Sequence, residues 1–149
     1  MTSLIRSIGI AAGILVLAGV QNASAQIENG LDFTTSFPFT VGSTTVPAGS
    51  YVVRQDDDNP DLLQLTGKGV AVFFETNKAQ PRETPSKTEV VFSRYGDGYV
   101  LKDIWVEGSD SGFESVASEG ERHLAKKYAS ATEERVGARK ITASASNRR

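Results

Sequence analysis

The sequence of 149 residues contains no cysteine, one histidine and one tryptophan. Without cysteine the chain forms no disulfide and has no thiol nucleophile, so its stability must come from packing. The lone histidine, His123, leaves zinc only carboxylates as further ligands, which the metal does not prefer. His123 stands among Arg122, Lys126 and Lys127, and we expect it at the surface. No serine lies in a nucleophile-elbow motif, so the sequence predicts no catalytic residue.

Long apolar runs are absent after residue 25. Within residues 1–25, Arg6 precedes an apolar run over 7–20, and Ala23 and Ala25 stand third and first before a cut at Gln26. This order is typical of a secretory signal peptide. The apolar run of about 14 residues is shorter than the ~20 that span a bilayer, so we expect cleavage and no transmembrane segment afterwards. The sequence therefore predicts export, to the periplasm or the extracellular medium.

A basic face is also lacking. Acidic residues outnumber basic ones over 26–118, and the balance reverses only over 119–149. A nucleic-acid-binding domain carries its basic residues on the fold itself, so we expect no nucleic-acid partner. The partner is unknown from sequence; another envelope protein and a second copy of this chain both remain open.

Short alternating stretches separated by turns make up most of the chain after residue 30. Over 33–41 (FTTSFPFTV), aromatic and apolar residues alternate with polar ones, which predicts a strand that Pro38 makes an edge or a bulge. The glycines of VGSTTVPAGSY (41–51) lie between two strands and precede no helix. They are therefore predicted to form turns of a scaffold rather than a phosphate-binding loop.

The strongest hairpin pattern joins residues 89–95 to 99–106 through Gly96-Asp97-Gly98. A three-residue loop would set Tyr95 opposite Tyr99. Farther on, Ser118 and Glu121 match a capping box, which predicts a helix over 118–131. Residues 132–149 are small, polar and charged, and we expect a disordered tail.

About seven short strands followed by one helix predict a mainly β fold. We expect a single antiparallel domain over 26–131, either a β-sandwich or a small barrel. Local patterns do not distinguish these two, because they differ in whether the sheet closes.

Two groups of residues are candidate sites. Asp56, Asp58 and Asp61 supply several oxygen ligands at close range, which makes them weak calcium candidates. They lack the alternating spacing, central glycine and distal glutamate of the known calcium loop. We therefore predict no metal and no cofactor, with calcium as the alternative.

The second group surrounds the 89–106 hairpin and is the candidate binding surface, formed by Arg94, Tyr95, Asp97, Tyr99 and Trp105. We expect Trp105 to be buried. Its exposure would instead indicate a binding face for a sugar or for another protein.

Two motifs carry a resemblance to a known group. FPFTVGSTTVPAGSYVV and VVFSRYGDGYVLKDIW, followed by the Ser-x-x-Glu helix start, resemble a group of small exported bacterial proteins of uncharacterised function. The resemblance spans residues 33–130 and implies a compact β fold and bacterial export. It implies no activity, and no functional residue is carried over.

These observations favour an exported, non-enzymatic β-module that binds a partner or assembles. The alternative is a carrier that holds a small apolar ligand in a barrel-like pocket lined by residues such as Phe37, Phe39 and Phe92. A hydrolase that uses turn carboxylates ranks third.

Overall fold

Eight antiparallel strands close into a barrel in the computed structural model, which describes residues 24–142. The elements are β1 (Leu31–Thr35), β2 (Phe39–Val41), β3 (Thr44–Val46), β4 (Gly49–Gln55), β5 (Leu62–Gly67), β6 (Val70–Ala79), β7 (Glu89–Tyr95), β8 (Gly98–Trp105), β9 (Gly112–Ser115), α1 (Glu119–Lys127) and β10 (Thr132–Lys140). Around the wall the order is β8-β7-β10-β1-β4-β5-β6-β9, and pairing of β9 with β8 closes it. The barrel is confirmed over the sandwich, with ten strands rather than about seven. The predicted signal peptide lies almost wholly outside the described residues.

The barrel interior is filled by side chains. Phe39, Tyr51 and Phe92 are almost fully buried. The Phe39 ring centroid lies 5.3 Å from that of Tyr51 and 5.0 Å from that of Phe92. An eight-stranded barrel leaves just enough interior for side chains, and each large apolar residue buried there contributes about 1.5–3 kcal/mol. The interior is therefore a packed core.

The β2–β3 hairpin lies outside the cyclic order of the wall. β2 pairs in parallel with β8 at Thr40 and Val100, and Gly42 lies beside the Phe74 side chain of β6. Val41 and Val46 are fully buried. The hairpin thus covers the wall between β8 and β6 with apolar side chains.

The sequence predicts one strand over 33–41, and the structure has two. The break falls at residues 36–38, where the Thr35 hydroxyl donates a hydrogen bond to the Phe37 carbonyl at 3.0 Å. Pro38 has no N–H to donate to a strand, so the ladder ends there. β1 consequently lies within the wall, between β10 and β4.

β10 corrects the predicted tail. The prediction of disorder over 132–149 is wrong for residues 132–140, which pair with β7 and β1. Most side chains of β10 are exposed, and only Val136 and Ala138 pack against the core. Main-chain hydrogen bonds between strands depend little on side-chain type, so a polar sequence can complete a barrel wall. The rest of the predicted tail, residues 143–149, lies outside the described residues.

Helix α1 begins where the capping box predicts. The Ser118 hydroxyl accepts a hydrogen bond from the Glu121 N–H at 3.1 Å. The helix ends at Lys127, earlier than predicted, because Tyr128 has extended backbone angles. α1 buries none of its own residues. Within the described range 24–142, no helix has the length and apolar character to cross a membrane.

The β7–β8 hairpin is confirmed, but its turn is shorter than predicted. Tyr95 pairs with Gly98, so Arg94 rather than Tyr95 stands opposite Tyr99. Gly96 has a φ of 61°, which suits the first central position of a two-residue type II′ turn. A two-residue loop shifts the register by one residue relative to the predicted three-residue loop.

Candidate functional site

A β-bulge in β8 creates the most unusual feature of the outer wall. Phe92 pairs with Leu101 and Val91 pairs with Asp103, so Lys102 is an extra residue on β8. Leu101 and Ile104 are both almost fully buried, which shows that the side-chain alternation changes phase across the bulge. Lys102 and Asp103 consequently lie together on the outer wall.

Charged residues from three strands meet at this bulge. Arg135 of β10 donates to Glu89 Oε1 of β7 at 2.5 Å and to Glu133 Oε2 at 2.9 Å. Lys102 Nζ donates to Glu133 Oε1 at 3.0 Å. The hydrogen bonds from Lys102 and Arg135 lower the pKa of the Glu133 carboxyl. Both oxygens of Glu133 are therefore held by cations.

Glu89 has an oxygen that this network does not satisfy. Its side chain is only 8 % exposed. Oε2 lies 3.4 Å from Lys87 Nζ but makes no hydrogen bond within residues 24–142. Buried carboxylate oxygens are normally hydrogen-bonded, because desolvation without a partner costs more than 1 kcal/mol. Glu89 therefore has one buried acceptor that the network leaves unused.

Asp103 is the second buried carboxylate. It is 7 % exposed, and its Oδ2 lies 3.8 Å from Lys102 Nζ, beyond hydrogen-bond distance. Burial raises the pKa of Asp103 to about 6; Lys102 opposes this rise, while Glu114 and Glu133 add to it. At neutral pH Asp103 is ionised, and the burial of this charge destabilises the folded state.

These carboxylates line a groove of about 620 Å³, which we call the Trp105 groove. It lies between residues 80–85 and the outer faces of β7, β8 and β10. Trp105 is half-buried and lines this groove. A Cβ on Gly112 would lie 2.3 Å from Trp105 Cε3, so only glycine lets the indole pack against β9. The expectation that Trp105 is buried is thus met only in part.

The other predicted binding residues lie elsewhere. Trp105 stands six residues from Tyr99 on β8, which is roughly 20 Å at strand spacing. Tyr99 stacks on Phe37, with ring centroids 3.9 Å apart, and the Arg94 guanidinium carbon lies 5.5 Å from the Tyr99 ring centroid. The Tyr95 hydroxyl donates to Glu121 of α1 at 3.4 Å.

The predicted binding surface is therefore divided. Arg94, Tyr95 and Tyr99 pack the turn end of the hairpin, where Asp97 is exposed, and only Trp105 lies in the groove.

The acidic run is organised as a turn. Asp56 Oδ1 accepts hydrogen bonds from the N–H groups of Asp58 at 3.1 Å and Asn59 at 3.0 Å. Asn59 Oδ1 accepts one from the Asp61 N–H at 3.2 Å. Over residues 24–142, no group of three or more His, Cys, Asp or Glu side chains is arranged to hold a metal ion. The calcium candidates Asp56, Asp58 and Asp61 thus receive no support from the geometry.

Sequence reasoning missed most of the groove. Glu133 and Arg135 lie in the stretch predicted to be disordered, and Glu89 lies 46 residues before Arg135. The one available signal is in β8, where apolar and polar residues occur on both phases of a period-two reading, as a bulge requires.

The structure also locates the single histidine of the chain, which the sequence predicts at the surface. His123 is exposed on α1 and is not among the residues that line the Trp105 groove. The groove itself offers hydrogen-bond acceptors and an aromatic surface, the combination that binding sites use to hold and orient a ligand.

Comparison of the chain with protein-family models, curated proteins and solved structures gives no match.

Proposed function

We propose that this protein is an exported bacterial binding module without enzymatic activity, and that its ligand lies in the Trp105 groove. The observation that carries the proposal is Glu89 Oε2, a buried acceptor without a hydrogen-bond partner in the described part of the chain. A ligand that donates a hydrogen bond there would satisfy this oxygen, whose nearest cation is the Lys87 ammonium at 3.4 Å. Trp105 supplies an aromatic surface beside it.

The electrostatics of the groove favour binding over catalysis. The raised pKa of Asp103 would suit a general acid. Hydrolysis of a glycoside needs a second carboxylate that acts as nucleophile or base. Glu133 has both oxygens in ion pairs with Lys102 and Arg135, which lowers its basicity. The other carboxylate of the network, Glu89, has Arg135 at one oxygen and Lys87 at the other. This arrangement supports a structural role for Glu133.

The carrier hypothesis receives less support from the fold. A carrier needs space inside the barrel for an apolar molecule. Phe39, Tyr51 and Phe92 occupy that space. The groove on the outer wall is the better candidate for a ligand.

Export from the cell and a bacterial origin are also parts of the proposal. They rest on the signal-peptide pattern of residues 1–25 and on the resemblance of two motifs to small exported bacterial proteins. The ligand or partner would accordingly be a component of the cell envelope or of the surroundings.

The experiment uses Trp105, the one tryptophan of the chain, as a fluorescent reporter of the groove. Protein exported by a bacterial host from the full-length gene is titrated with the polysaccharide, small-molecule and protein fractions of an envelope extract. We expect a saturable change with at least one fraction, weakened in Glu89→Gln and retained in the control Asp97→Asn.

A titration with no saturable change in any fraction would contradict the binding function, and turnover of a component would contradict its non-enzymatic character. Intact mass measured on the same sample tests export. We expect a chain that begins at Gln26, and a retained leader would refute cleavage.

A further inference from the structure

Two buried carboxylates of the groove each have an oxygen that accepts no hydrogen bond from the described residues. Arg135 and Lys102 already donate to Glu89 and Glu133. Glu89 Oε2 accepts no hydrogen bond within the described residues, and Asp103 Oδ2 has its cation only at 3.8 Å. A ligand that contacts these two carboxylates must therefore donate hydrogen bonds, through hydroxyl or ammonium groups.

The charge balance separates these two classes of donor. Four carboxylates and three cations line the groove, and Lys87 lies beside Glu89. An ammonium group brought to Glu89 or Asp103 would meet nearby cations as well as carboxylates, so the balanced charges of the groove give it little net attraction. A neutral hydroxyl group donates the same hydrogen bond and does not depend on the net charge.

Trp105 adds the second requirement. Its indole is held against Gly112 and is half-buried, so it presents a fixed aromatic surface to the groove. The volume of about 620 Å³ is within the range of small-ligand sites. A ligand that fits must place an apolar surface on the indole while its hydroxyl groups reach the carboxylates.

We infer that the Trp105 groove binds a neutral carbohydrate, which stacks a sugar ring on Trp105 and donates hydroxyl hydrogen bonds to Glu89 and Asp103. This inference rests on the proposed binding function and gives it a ligand class. The two carboxylates face the same groove from adjacent strands, β7 and β8. The ligand would therefore lie across these strands.

The test titrates the exported protein with three neutral hexasaccharides, cellohexaose, maltohexaose and chitohexaose, and with spermidine as the cationic probe. Trp105 fluorescence is the readout. The variants Glu89→Gln and Asp103→Asn each replace one acceptor oxygen and keep the tryptophan. Asp97→Asn is the matched control, since it removes an exposed carboxylate at the other end of the same hairpin.

We expect at least one hexasaccharide to give saturable binding. Loss of a hydrogen bond to a charged group weakens binding by about tenfold or more, so Kd should rise by that factor in each groove variant and stay unchanged in Asp97→Asn. Asp103→Asn keeps the test decisive if Glu89→Gln fails to fold, because Asp103 has only a long contact with Lys102 at 3.8 Å, whereas Glu89 is hydrogen-bonded to Arg135.

Each other outcome overturns the inference in a different way. A response to spermidine alone refutes the carbohydrate class and leaves the proposed binding function standing. Hexasaccharide binding that neither groove variant weakens refutes the assigned site. If no hexasaccharide changes the fluorescence, the carbohydrate inference fails, and the envelope-fraction titration decides the binding function separately.

Discussion

Asp103→Asn is expected to stabilise the protein at neutral pH and to leave its stability almost unchanged in acid. Burial raises the pKa of Asp103 from the ordinary value of 3.8 to about 6. Each tenfold change in proton affinity corresponds to about 1.4 kcal/mol, so the ionised carboxylate costs the folded state at most about 3 kcal/mol. Water at the rim of the groove screens the charge, and we expect an observed gain of about 1–2 kcal/mol.

The pH window follows from the direction of the shift. Below about pH 4 the carboxyl is protonated in both the folded and the unfolded states, and asparagine is a close substitute. Between about pH 4 and pH 6 the folded state binds the proton more tightly, so the stability that Asp103 contributes is lost as the pH rises. Above this window the full advantage of the variant should be present.

The charged groups that act on Asp103 do not alter the sign. Lys102 and Arg135 favour its ionised form, and Glu114 and Glu133 disfavour it. All four act on the folded state and are already included in the raised pKa. The difference between wild type and variant therefore isolates Asp103 from the other titrating groups.

Urea unfolding of both proteins from about pH 4 to pH 8, followed by far-ultraviolet circular dichroism, measures this difference. Asp97→Asn controls for the change in net charge. A variant less stable than wild type at neutral pH would refute the argument, since the contact with Lys102 would then outweigh desolvation. So would an equal gain at every pH. If the variant is more stable but binds hexasaccharide less well, the charge serves binding at the expense of stability.

Three further substitutions test the groove and the helix. Arg135→Ala removes the cation hydrogen-bonded to buried Glu89, and urea unfolding should show the free energy of unfolding reduced by about 2 kcal/mol. This is less than for a fully buried pair, because Arg135 is half exposed. An unchanged free energy of unfolding would contradict the ion-pair argument. Gly112→Ala places a Cβ against Trp105 and should cost about 1–3 kcal/mol, with a shift of the fluorescence maximum that a structurally neutral change would lack. Ser118→Ala removes the N-cap and should weaken α1 by about 1 kcal/mol, seen as reduced helical dichroism, while the urea midpoint of the barrel stays in place because α1 buries no residue.

Local sequence patterns correctly located the features that depend on residues close together in the chain. The turn at Gly96 and the cap at Ser118 depend on residues within a few positions, and both are where the sequence predicts them. Register was harder, since a loop of two rather than three residues moves Tyr99 opposite Arg94. The bulge at Lys102 also changes the register by one residue. Each residue of β8 after the bulge therefore lies on the opposite face from the one a regular strand would give it.

The polar strand β10 was missed for a different reason. Its place in the barrel depends on hydrogen bonds to β7 and β1, which are distant in the chain, and few of its side chains are buried. Secondary-structure patterns record side-chain burial, so a strand held mainly by its backbone leaves a weak pattern. With β10 misread, the pairing of Arg135 with Glu89 was also beyond reach.

The sequence by itself determined the β class, the helix start, the reliance on packing instead of disulfides, and the expectation of export. These follow from composition and from periodicity over a few residues. Only the tertiary structure decided that the sheet closes, that residues 132–140 complete its wall, and that Glu89, Asp103 and Trp105 share a groove. Closure and the groove depend on which distant strands become neighbours, and that choice is set by the summed packing of the whole barrel.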